Sequence, residues 1–96
     1  MNHVDKYYWV VDHPKLGGTA QAVIEMNPQQ VNPENNEISL DHPELNTKFE
    51  WWVEVLVWDE DSRSRCHDWE VDTGGDTAEE AIHNLYDLVL KTYGGY

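Results

Sequence analysis

Residues 49–59 read Phe-Glu-Trp-Trp-Val-Glu-Val-Leu-Val-Trp-Asp, and no other stretch of the chain limits its fold as tightly. Side chains of a β-strand point alternately to opposite faces of the sheet. Phe49, Trp51, Val53, Val55 and Val57 occupy every second position and are all apolar, so one face of this strand is written for a core. Glu50, Trp52, Glu54, Leu56 and Trp58 take the other face, which mixes carboxylates with large rings.

The second firm element lies near the C-terminus. Thr77-Ala78-Glu79-Glu80 matches a capping box, in which a hydroxyl accepts from an orphan backbone N–H and a carboxylate reaches back. Ala78, Ala81, Ile82, Leu85, Leu88, Val89 and Tyr93 then recur at helical spacing. Glu79, Glu80, His83, Asn84, Asp87 and Lys91 take the wet side, Leu90 breaks the pattern, and Gly94-Gly95 supplies the C-cap.

The rest of the chain is read around these two. Tyr7-Tyr8-Trp9-Val10-Val11 is a β-type run closed by Asp12-His13-Pro14, and Gly17-Gly18 marks a hairpin turn into a strand over 19–26. In that strand Ala20, Ala22, Ile24 and Met26 share a face, with Thr19, Gln21, Val23 and Glu25 opposite. Residues 27–47, rich in Asn and Pro, read as one long loop with a short extended piece at Glu37-Ile38-Ser39-Leu40. After the polar turn Asp59-Glu60-Asp61-Ser62, a strand through Trp69 and Val71 pairs back as a hairpin, with Asp68, Glu70 and Asp72 on its opposite face. Thr73-Gly74-Gly75-Asp76 is a break. The order predicts an α+β fold: a four-stranded, mainly antiparallel sheet with one C-terminal helix packed on one face, in a single domain spanning 1–96.

Charge decides what such a domain can bind. There are 19 Asp and Glu against 6 Lys and Arg, for a formal net charge of −13. That balance repels free nucleic acid and anionic membrane, and it favours basic surfaces. Five Trp, five Tyr and one Phe separate the chain from disordered acidic tails, which carry few aromatics. The single cysteine, Cys66, rules out an internal disulfide. Val55-Leu56-Val57-Trp58 is too short to span a membrane, and residues 2–8 do not read as a leader, so a cytoplasmic protein is expected.

With a helix on one face of the sheet, the other face looks at water. Parity places Gln21, Glu25, Glu50, Glu54, Asp68, Glu70 and Asp72 there, with Trp52 and Trp58 among them. Like charges opposite each other on a sheet cost roughly 0.2–1 kcal/mol per pair, so nothing structural recommends the arrangement. A docking surface for Lys and Arg accounts for it; so does solubility, which added Asp and Glu favour. The expected contacts are Glu25, Glu50, Trp52, Glu54, Asp68, Glu70 and Asp72, on a basic partner surface that is itself a nucleic-acid-binding one. The other reading is a self-associating module, a homodimer formed through the open face or a sheet edge; it would tighten with salt, whereas docking to a basic partner would weaken.

Chemistry has weaker claims. Asp59-Glu60-Asp61 opens like a calcium loop with Glu70 at the twelfth position, but Arg63 stands fifth and Ser64 sixth, where a sharp turn needs Gly. Val11-Asp12-His13-Pro14-Lys15-Leu16 and Leu40-Asp41-His42-Pro43-Glu44-Leu45 form a near repeat, yet they lack the spacing of zinc ligands. Cys66 and His67 are adjacent, so on a strand they face apart and do not pair as nucleophile and base. No phosphate loop is present, and Asp76 and Glu79 guard the helix start. The expectation is a non-enzymatic protein without a cofactor.

Two resemblances bear on this reading. Gly75-Asp76-Thr77-Ala78-Glu79-Glu80-Ala81 resembles the helix start of the small HicB-type antitoxin domains, where a hairpin leads into it within a partial ribonuclease-H-like fold. The likeness covers roughly residues 50–93. The family's Pro-Gly-Cys stretch is replaced by Trp69-Glu70-Val71-Asp72, so the resemblance implies the hairpin–helix layout and not the antitoxin function; a HicB-like antitoxin domain is the example of what the self-association reading would mean. In character the chain also resembles the small, very acidic proteins with which phages and mobile elements block host defence, anti-CRISPR proteins among them. Several of those present carboxylates where a DNA-binding enzyme expects phosphates, which implies an inhibitor acting as a nucleic-acid mimic.

Overall fold

A computed structural model describes residues 1–16 and 22–96. Its centre is the long strand that the alternating run predicts. Strand β2 spans Lys48–Asp59, and β1, Ala22–Val31, pairs with it antiparallel from Ala22 opposite Val57 to Val31 opposite Lys48. On its other side β2 meets two short antiparallel strands placed end to end: β3, Ser64–His67, beside Leu56 to Asp59, and β4, Thr73–Gly75, beside Trp51 to Val53. The result is a four-stranded antiparallel sheet in an α+β fold.

The capped C-terminal helix forms where the stripe places it. Helix α2 spans Ala78–Tyr93 and buries Ala81, Ile82, Leu85 and Val89, while Leu90 is 40% exposed. Thr77 Oγ1 accepts from the Glu80 N–H at 3.0 Å. The return bond is displaced by one residue, since Glu80 Oε1 accepts from the Asp76 N–H, at 3.4 Å. Gly94 closes the helix at φ 79°, its N–H bonded to the Leu90 carbonyl at 2.9 Å.

The N-terminal reading is overturned. Tyr7-Tyr8-Trp9-Val10-Val11 is the end of a second helix, α1, His3–Val11, and not a strand. Asn2 caps it by accepting from the Asp5 N–H at 2.9 Å, and Asp5 adds an acid to its first turn. In helical geometry Tyr7, Val10 and Val11 share a face, and Val10 and Val11 are buried. So short a helix is held by packing more than by propensity: Trp9 meets Tyr86 of α2 edge-on at 4.7 Å, and the Lys6 ammonium lies 4.7 Å from the centre of the Tyr86 ring.

His13 fastens this helix to the far end of α2. It is 1% exposed, and its Nδ1 accepts from the Lys15 N–H at 3.0 Å. That fixes the proton on Nε2, which donates to the Gly94 carbonyl at 2.8 Å. Tyr96 adds to the clamp, its hydroxyl donating to the Trp9 carbonyl at 2.7 Å and its ring stacking on Trp9. The hairpin turn expected at Gly17-Gly18, and Thr19, Ala20 and Gln21 of the strand expected at 19–26, lie outside the described residues.

Two further boundaries move. The loop expected over 27–47 begins only at 32, because β1 continues through Asn27-Pro28 to Val31. Pro28 is tolerated because β1 pairs, among the described residues, with β2 alone, and an edge strand can lack an outward N–H. The remaining loop is hydrogen-bonded internally: the Asn46 side chain accepts from the Ser39 N–H and donates to the Ser39 carbonyl. The strand expected through Trp69 and Val71 is a 3-10 turn, Trp69–Val71. Asp68 starts it by accepting from the Glu70 N–H at 3.2 Å, and a period of three replaces the period of two.

Both helices pack on one face of the sheet. Val10, Val11 and Leu16 join Ala22 and Ile24 of β1, Val53 and Val55 of β2, Val71, and Ala81, Leu85 and Val89 of α2 in one buried cluster. Burying each Val or Leu contributes roughly 1.5–3 kcal/mol. Gly75 brings β4 against α2: a Cβ there would stand 2.7 Å from the Ala81 backbone nitrogen. Gly74 and Gly75 are thus close-approach positions within a strand, not residues of a turn.

Candidate functional site: an acidic groove on the open sheet face

The face of β2 turned away from the helices carries Glu50, Trp52, Glu54, Leu56 and Trp58, as parity requires. Beside it on β1 stands Glu25, directly opposite Glu54 in the register. On this face lies a groove of about 390 Å³, lined by Glu50, Trp52, Glu54, Asp72, Trp69, Gly74 and Asn36 among others. Gly74 lets β4 run close beside Trp52, since a Cβ there would stand 2.7 Å from the Trp51 carbonyl and 3.3 Å from Trp52 Cδ1.

The groove's side chains are held by one another. The Trp52 indole N–H donates to Glu50 Oε2 at 3.1 Å, along the same face of one strand. His67, at the end of β3, faces Glu54 diagonally across the ladder, with Nε2 2.8 Å from Glu54 Oε2. The Trp69 ring stacks on the His67 ring, centroids 4.5 Å apart and planes 24° from parallel, while Trp69 stays 74% exposed.

Asp72 is the most perturbed member. Its carboxyl is pushed above the usual 3.8, first by burial, then by the neighbouring charges of Glu54 and Asp68, with His67 and a Val55 backbone hydrogen bond pulling the other way. Its Oδ1 is out of solvent and has no hydrogen-bond partner among the described residues. A half-buried negative charge beside two others is destabilising unless a cation meets it.

Four of the residues expected to form a site therefore come together: Glu50, Trp52, Glu54 and Asp72. Glu25 shares the face without lining the groove. Asp68 and Glu70 leave it, because the 3-10 turn rotates them out of register. Asp68 Oδ2 accepts from the Tyr93 hydroxyl of α2 at 2.7 Å; burial and this bond push the Tyr93 phenol up to about 12. Glu70 is exposed on the turn. The acid is also less polarised than parity suggests, for the turn at Asp59–Asp61, the 32–47 loop and the first turn of α2 carry many carboxylates of their own.

Cations frame the groove without filling it. Lys48, at one end of β2, pairs with Asp76 at 3.1 Å and donates to Asn36 Oδ1 at 3.0 Å. Arg65 stands opposite Trp58 near the other end. The sequence reading missed Trp69 and Asn36, which reach the groove through turns and not through strand parity, and His67, which β3 sets opposite Leu56 on the open face and against Glu54. The one usable signal was Asp68, a residue type that starts turns, ahead of Trp69. No family model, curated protein or solved structure matches the chain.

Proposed function

We propose that the chain is a non-enzymatic acidic binding protein that docks the basic, nucleic-acid-binding surface of a partner protein and occupies it. The observation that carries this reading is the convergence of Glu50, Glu54 and Asp72 around Trp52 on a sheet face that neither helix covers. Such crowding lowers stability, and a cationic partner relieves it. The net charge of −13 adds long-range steering toward basic surfaces, and the rings offer apolar contact at the centre of a charged patch. An inhibitor of the phage anti-defence kind would work in this way, by presenting carboxylates where an enzyme expects phosphates.

The test is calorimetric titration against a panel of basic nucleic-acid-binding proteins over a range of NaCl, with duplex DNA as competitor. Wild type should bind in competition with DNA and weaken as salt rises. The pair Glu50→Lys and Glu54→Lys should abolish binding while keeping the wild-type circular dichroism spectrum. Undiminished binding by that variant, or association that strengthens with salt, would overturn the assignment; the second result would favour a self-associating module.

A further inference from the structure

We infer that the groove on the open face receives one arginine side chain of the basic partner, in preference to lysine. The inference rests on the docking reading above and names what that surface recognises.

The first argument is the oxygens left over. Glu50 commits Oε2 to the Trp52 indole, and Glu54 commits Oε2 to His67. Oε1 of each takes part in no side-chain hydrogen bond among the described residues, and Asp72 Oδ1 is buried without a partner. Glu50 and Glu54, two residues of one face of β2, thus offer free acceptor oxygens to the groove, and the Asp72 carboxyl, just after the 3-10 turn, adds negative charge to it. A guanidinium carries five N–H donors in a rigid planar fork and can meet several such acceptors at once. An ammonium offers three donors around a point and is more strongly hydrated, so entering a partly desolvated groove costs it more.

The second argument is the rings. Trp52 and Trp69 both line the groove, and Trp is the strongest aromatic partner for a cation. A guanidinium can lie flat on an indole while its edge donates to carboxylates; an ammonium cannot do both as well. Both indoles are already oriented, Trp52 by its bond to Glu50 and Trp69 by its stack on His67, so little freedom is lost when a guest arrives. The third argument is vacancy of charge: the nearby Lys48 is engaged by Asp76 and Asn36, and His67 is the one basic group in contact with these three carboxylates among the described residues.

The experiment titrates the full 96-residue chain with two otherwise identical twelve-residue peptides, about three Arg in one and as many Lys in the other, following the indole N–H signals by heteronuclear NMR. The Arg peptide should bind about tenfold more tightly and shift the Trp52 and Trp69 indole signals. Trp69→Ala removes an exposed ring without opening the core; it should weaken the Arg peptide toward the affinity of the Lys peptide and so erase most of the preference. Glu54→Gln should weaken the Arg peptide more than the Lys peptide. Equal affinities for the two peptides, or a preference that survives both variants, would overturn the inference. If the peptides bind equally and the Glu50→Lys, Glu54→Lys pair abolishes both, arginine selection falls and the docking reading stands. If neither peptide binds and no basic protein does, both fall.

Discussion

Replacing Asp72 with Asn should make the protein more stable and a poorer binder. The side chain keeps its shape and loses its charge. In the folded protein that charge is partly buried, lies near Glu54 and Asp68, and leaves Oδ1 without a hydrogen-bond partner among the described residues. Relief of one to two like-charge neighbours at roughly 0.2–1 kcal/mol each gives an expected gain of about 0.2–2 kcal/mol near pH 7. For a domain of this size that corresponds to a rise in Tm of roughly 1–16 °C. The pH dependence has a definite sign. The carboxyl titrates higher folded than unfolded, so protonation favours the fold, and that contribution is lost as pH rises through the folded value. The advantage of Asn over Asp should therefore be largest near neutrality and shrink as the solution is acidified below the folded value. Urea denaturation of both proteins at several pH values measures this. A less stable Asn variant at pH 7, or a gap that widens on acidification, would refute the account of Asp72. Affinity for a basic partner should fall in the same variant, the expected trade between stability and function at a binding site.

Two structural predictions stand beside it. Gly75→Ala should cost roughly 1–3 kcal/mol in chemical denaturation, because the new methyl would stand 2.7 Å from the Ala81 nitrogen and 3.0 Å from the Glu80 carbonyl carbon, both backbone atoms that cannot swing aside. His13→Leu keeps an apolar filling but leaves the Gly94 carbonyl and the Lys15 N–H without their partner; it should cost about 1–3 kcal/mol and speed amide exchange at the C-terminal end of α2.

Strand β2 and helix α2 were legible because each carries a long, uninterrupted period: alternation over eleven residues in one, a seven-membered stripe behind a capping box in the other. The members of the groove that lie on β2, Glu50, Trp52 and Glu54, follow from that alternation directly. Helix α1 was not legible. Its aromatic and β-branched run matches strand propensity, and only Asn2 and Asp5 at its start speak for a helix; contact with α2 decides between them. The segment from Asp68 to Asp72 defeated parity for a related reason. One side-chain cap at Asp68 converts a strand into a 3-10 turn, which buries Val71, exposes Trp69, and sends Asp68 toward the helix and Asp72 into the groove. Local hydrogen bonding of a single residue outweighed the pattern around it.

Among the described residues β2 alone is bonded along both edges, so every strand of the sheet depends on it. Detaching β1 strips its ladder with β2, while among those residues β3 and β4 do not pair with each other and have no second strand to retain them. Unfolding therefore has few partial stops, and amides at the heart of β2 exchange with solvent only when the entire molecule opens. The same strand presents Glu50 and Glu54 of the groove, so the proposed docking surface is carried by the last element to yield.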